Sequence, residues 1–136
     1  MDFSIVDFSS CVDREISKRL TTYPRIIAKL YKNSASEAEI AKAQHEQNVQ
    51  MYNIQNIRFC LSQDFIPAEP AILSGMLTEL KREFKMRKKC YPRWVWFHTK
   101  SNGKSGISQE TATQELAIWK SLIIHFENLN NNGTGI

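Results

Sequence analysis

Apolar residues recur at helical intervals along most of the chain. Ala112, Leu116, Trp119, Ile123 and Phe126 follow at steps of 4, 3, 4 and 3, which draws one apolar stripe and marks a core-facing helix. Leu73, Met76 or Leu77, Leu80 and Phe84 draw a second stripe on a helix from about Glu69, with Pro70 in the first turn, where its missing N–H has no intrahelical partner to lose. Ser36-Glu-Ala-Glu39 reads as a capping box opening a helix to about Cys60, and Ser108 opens the last one. Pro24 and Pro92 each follow a charged helical turn and predict a kink or break, because proline removes a hydrogen bond and crowds the preceding turn. The expected elements lie near 10–22, 23–32, 36–60, 69–90, 91–98 and 108–128. No strand is predicted, and the fold class is all-α.

The pattern also repeats. Glu15 to Arg25 (EISKRLTTYPR) laid over Glu83 to Arg93 (EFKMRKKCYPR), 68 positions on, shares five of eleven residues, including Tyr-Pro-Arg. Each copy continues through an apolar run, a polar loop and a serine-led helix, the second loop being four residues longer. This predicts two helical hairpins related by internal duplication and packed as a small bundle with approximate twofold symmetry. The first repeat is 1–63, a join with two prolines 64–70, the second repeat 71–128, and 129–136 a disordered tail. Within the repeat, Glu15–Arg19 and Glu83–Arg87 read as ordinary solvated i,i+4 pairs, acid first. The stripe of the second copy maps onto Ile40, Gln44, Gln47, Met51 and Ile54 in the first, so two glutamines interrupt it: looser packing, or a surface offered to a partner. Tyr23 and Tyr91 are expected to pack inward, with Arg25 and Arg93 reaching back to helix-end carbonyls or a carboxylate.

Composition narrows the chemistry. At 136 residues and 42% hydrophobic content the chain can bury a sizeable core unaided. Cys11, Cys60 and Cys90 are odd in number and widely spaced, and read as reduced thiols rather than a disulfide framework or zinc ligands. His45, His98 and His125 stand apart from one another, no phosphate-cradling glycine motif occurs, and Gly75 reads as room for a close helix crossing. The expectation is no metal, no cofactor, no catalytic residue and no enzyme activity. The N-terminal stretch lacks the features of a secretory signal and no apolar run is long enough to span a bilayer, so a cytoplasmic protein without membrane contact is expected.

Charge supplies the strongest functional signal. Between Lys81 and Lys104 nine basic residues face one acid, Glu83, a local +8 in a chain of net +4. Lys81, Arg82, Lys85, Lys88, Lys89 and Arg93 form the candidate basic binding face, with Trp94 and Trp96 beside it as candidate aromatic contacts. Cations next to aromatic faces suit single-stranded nucleic acid, and equally an acidic protein surface. The alternative is a solvated helix face with the tryptophans in a core.

The residues Met86, Arg87, Tyr91, Pro92, Arg93, Trp94, Val95, Ser108, Gln109, Ala112 and Glu115 carry a resemblance. Over about a third of its length the chain resembles short bacteriophage-encoded helical-hairpin proteins with a Met-Arg, Tyr-Pro-Arg-Trp-Val and Ser/Thr-Gln pattern. The resemblance implies a phage or prophage origin and an accessory role in the host cytoplasm, against or borrowed from host nucleic-acid machinery, and it does not supply an active site. The expected function is docking onto a host protein or nucleoprotein complex, so as to inhibit or redirect a defence or nucleic-acid-processing system. Direct DNA or RNA binding in a phage replication or recombination module is the alternative.

Overall fold

The computed structural model describes residues 3–63 and 66–134, the last four as backbone only, and is all-helical. Four helices follow in order: α1 (Ile5–Lys32), α2 (Glu37–Gln63), α3 (Pro70–Lys100) and α4 (Gln109–Thr134). Each start has a local cause. Ser4 and Asp7 form a reciprocal capping box for α1, and Phe3 and Phe8, the residues flanking that box, both join the core as a hydrophobic staple would place them. The Ser36 hydroxyl accepts from Glu39 N–H at 3.1 Å, and the Ser108 hydroxyl from Thr111 N–H at 3.1 Å. At Ser36 the Glu39 carboxylate accepts a hydrogen bond from the serine hydroxyl at 3.2 Å. Pro70 sits in the first turn of α3 as expected.

Six expected elements become four, because neither internal proline ends its helix. Pro24 and Pro92 lie on the exposed side of α1 and α3, where water can reach the carbonyl each leaves without an intrahelical donor, while the opposite face stays packed. The helices end instead where Ser34 and Asn102, again 68 apart, take positive φ angles of 57° and 56°. Ala35 N–H then donates to Leu30 O, and Gly103 N–H to His98 O, closing both ends in the same six-to-one pattern. Helix α1 starts five residues before the expected boundary. At the far end the expected tail is helical through Thr134, Leu129 packing on the core, while 135–136 lie outside the described residues, as do 64–65 of the join.

The short turns make α1 with α2, and α3 with α4, antiparallel hairpins, which pack on each other through α2 with α3 and α1 with α4. The core gathers at this crossing. Val12, Ile54, Ile57, Met76, Leu80, Trp119 and Leu122 are fully buried there, and the stripe on α4 forms as its spacing predicts. Gly75 faces Asn53 of α2 so closely that a Cβ would come within 2.8 Å of the carboxamide oxygen. Beyond the crossing the hairpin tips project: from Leu20 to Gln47 only Ile40 is buried, and from Pro92 to Thr111 nothing is.

Candidate functional site

The polar heart of the molecule is buried where α1 and α3 face each other across the bundle. Arg19, 2% exposed, donates to Glu15 at 2.8 Å, to Glu79 at 2.8 Å, to Glu83 at 3.0 Å and to the Gln50 carbonyl at 2.9 Å. Arg87 reaches back to Glu15 at 2.6 Å and to Glu115 at 3.2 Å, and donates to the Tyr91 hydroxyl. The two Glu-x-x-x-Arg pairs therefore exchange partners, Arg19 with Glu83 and Arg87 with Glu15. They are not the solvated pairs that spacing alone suggests. Arg82 pairs with Glu79, and Arg14 with Glu115 at 3.5 Å, so four guanidinium groups balance four carboxylates. Burial by itself would lower the Arg19 pKa, but Glu79 and Glu15 outweigh it and raise it. Burial and the hydrogen bond to Glu115 push the Tyr91 phenol well above its ordinary value.

Among the described residues no group of three His, Cys, Asp or Glu side chains is placed to hold a metal ion, and the carboxylates of this network are held by arginines. A signal for it was present. Glu15 and Arg19 continue the stripe of Phe8 and Val12, and Glu83 and Arg87 continue that of Met76 and Leu80, so charged residues stand at core-stripe positions.

The expected basic face divides accordingly. Arg82 is half-buried and joins the network, Arg87 lies inside it, and Lys81 meets Glu127 at 3.9 Å. Lys85, Lys88, Lys89 and Arg93 remain exposed on α3 with no ion pair among the described residues, as do Lys100 and, in the following loop, Lys104. Lys88 lies over the Phe84 ring and Arg93 over Phe97, at 5.9 and 5.6 Å from the ring centroids. Among the described residues neither Arg25 nor Arg93 reaches back to a carbonyl or carboxylate, although Tyr91 is buried and Tyr23 half-buried, as expected. Trp96 is 54% exposed, edge-on to Phe97, with Lys100 Nζ 5.8 Å from its centroid. Trp94 is half-buried between the Tyr91 ring and Lys18 Nζ, which lies 5.3 Å from its centroid.

Next to this face is a cleft of about 690 Å³ lined by Lys89, Cys90, Arg93, Trp94, Phe97, Ser105 and Gly106. The first five fall on one side of α3 at steps of 1, 3, 1 and 3, and the longer loop forms the opposite wall. That loop, with Ser105 and Gly106, was not read from the sequence as part of a site. No described helix is long and apolar enough to cross a membrane. Compared with protein families, with curated proteins and with solved structures, the chain matches none.

Proposed function

We propose that the protein acts by docking onto an anionic partner along α3, and that this partner is a host protein or nucleoprotein complex. One observation carries the reading: Lys85, Lys88 and Lys89 stand exposed and have no ion pair among the described residues, while Arg19, Arg82 and Arg87 are drawn to the buried acids. The remaining cations repel one another in the free protein, and an acidic surface would offset that repulsion on binding. With the resemblance to phage hairpin proteins, the reading becomes an accessory protein in the host cytoplasm that inhibits or redirects a defence or nucleic-acid-processing complex. The matching hairpin contacts support an origin by internal duplication.

A second reading, direct contact with DNA or RNA, is favoured by Trp96 and Phe97, exposed beside Lys100 and Arg93. Capture from host lysate, with and without nuclease, by the wild type and by the Lys85→Glu/Lys88→Glu/Lys89→Glu variant tests both. Docking predicts capture that survives nuclease, weakens with salt because exposed charges carry it, and is lost in the variant. Phosphate contact predicts nuclease sensitivity and a steep salt dependence. Undiminished capture by a folded triple variant at physiological salt overturns the α3 face altogether.

A further inference from the structure

The cleft beside α3 combines three properties. Its volume, about 690 Å³, is that of a small-molecule site. Its lining holds two cations, Lys89 and Arg93, and no acid, and neither cation has a carboxylate partner among the described residues. Its remaining walls are largely apolar and aromatic, Trp94 and Phe97, with Lys18 adding positive charge against the Trp94 ring.

The loop wall is preorganised. The Ser101 hydroxyl accepts from Ser105 N–H at 2.9 Å, and Ile107 N–H donates to the Trp94 carbonyl at 3.3 Å. Gly106 lies flush against α3 with φ +73°, and a Cβ there would come within 2.1 Å of the Trp94 oxygen, so only glycine closes the wall in this way. The first hairpin has no counterpart. Its turn spans 33–36 against 101–108, and Thr21, Ile26 and Lys29 stand 68 positions before Lys89, Trp94 and Phe97.

Two exposed cations beside two aromatic walls suit a ligand that joins a dianion to a planar, weakly polar ring. We propose that this cleft binds a nucleoside 5′-monophosphate unit, free or at the 5′ end of a single strand, with Lys89 and Arg93 on the phosphate and Trp94 and Phe97 against the base. The inference goes beyond docking along α3 and does not rest on it, since Lys85 and Lys88 do not line the cleft.

Tryptophan emission of the full chain, titrated with thymidine 5′-monophosphate and with pentathymidylate carrying or lacking a 5′-phosphate, tests the proposal. Thymidine, inorganic phosphate and phosphotyrosine serve as comparison ligands. Saturable binding of the phosphorylated ligands is expected, with Arg93→Gln and Lys89→Gln each weakening it by about tenfold or more, as loss of a charge-assisted hydrogen bond implies. Both side chains are exposed, so unchanged melting temperatures will show that the fold persists. The Lys85→Gln/Lys88→Gln variant should bind nucleotide within about twofold of the wild type, as expected for charges outside the site, which separates failure of this site from failure of the docking face. Tighter binding of the mononucleotide than of the strand assigns a free nucleotide, and the reverse assigns a strand end. No saturable response, or binding of thymidine, phosphate or phosphotyrosine equal to that of the nucleotide, overturns the proposal.

Discussion

The two hairpins carry the same Glu-x-x-x-Arg-x-x-x-Tyr-Pro-Arg run 68 residues apart and close it differently. In the first, Arg19 Nε meets Glu15 squarely at 2.8 Å. In the second, Arg87 Nε stands 3.4 Å from Glu83 Oε2, and both atoms lack a hydrogen-bond partner. The Arg87 head is drawn off towards Glu15, Tyr91 and Glu115, and packs over the Trp119 ring at 4.6 Å. The helix that follows accounts for the difference. Helix α4 presents Glu115 and Trp119, whereas α2 presents Gln47, which donates to the Tyr23 carbonyl, and Gln50, which accepts from the Tyr23 hydroxyl. Carboxamides fill less of the space than an indole, and a groove of about 540 Å³ lined by Tyr23, Gln44, Gln47 and Met51 remains. One run can thus anchor both halves of a charge network while its partner helix sets how tightly each hairpin closes.

The largest effect that tests this comparison is expected from the arginines. Arg19→Met leaves Glu15, Glu79 and Glu83 facing one another almost without water, and should cost about 3 to 5 kcal/mol, the range for breaking a buried ion pair from one side. Arg87→Met should cost less, because its partner Glu115 is partly open to solvent and Arg14 still reaches it. Denaturant titration of both variants measures the difference. Equal losses would mean that the two corners are equivalent despite their geometry, and no loss at Arg19 would remove the network from the account of stability.

Next comes the stripe on the second helix of each hairpin. Trp119 is completely buried, and Trp119→Ala should cost roughly 3 to 5 kcal/mol, against about 1 kcal/mol or less for Gln47→Ala. Thermal melts of the pair would invert the comparison if Gln47 proved the costlier position.

These expectations also show what sequence could carry. The α4 stripe, the serine caps, the Pro70 start and the longer second loop follow from local chemistry and are read from neighbouring residues. The through-running of α1 and α3 past Pro24 and Pro92 is not local, because it depends on which side of each helix faces water. The network is less local still: Arg19 meets acids 60 and 64 positions away, and a pattern that sorts residues into polar and apolar assigns all of them to the surface. What could be read was that Glu15, Arg19, Glu83 and Arg87 interrupt stripes on otherwise apolar faces. The basic face was legible as composition, and lost Arg82 because a positive charge next to a buried acid is drawn inward. The cleft was not legible, since a loop builds one of its walls.

A smaller effect separates the two tyrosines. Tyr91→Phe removes a buried hydroxyl shared by Arg87 and Glu115 and should cost about 1 to 3 kcal/mol, whereas Tyr23→Phe, losing one bond to Gln50 at a half-buried site, should cost about 0.5 to 1.5 kcal/mol. Burial and Glu115 raise the Tyr91 pKa in the folded chain above the ordinary value of 10. The native state therefore keeps a proton that the unfolded chain releases, and stability should fall as pH rises through about 10 and beyond. Melting curves at alkaline pH should lose part of this slope in Tyr91→Phe.

The smallest effect bears most directly on why the first hairpin is open. Gln47→Leu replaces the carboxamide with an apolar side chain of similar size beside Tyr23 and Met51. It loses the hydrogen bond to the Tyr23 carbonyl, worth about 1 kcal/mol at a half-buried site. It gains burial of one or two additional apolar groups at about 0.8 kcal/mol each. The terms nearly cancel, and a stability within about 1 kcal/mol of the wild type is expected, in contrast to the cost of emptying the matching position in the second hairpin. A gain at the upper end would identify the glutamine as a residue kept at the expense of packing, as a surface held open for a partner would require. A loss of several kcal/mol would show instead that the polar closure of the first hairpin is as strong as the aromatic closure of the second, and that the groove is incidental to how that hairpin folds.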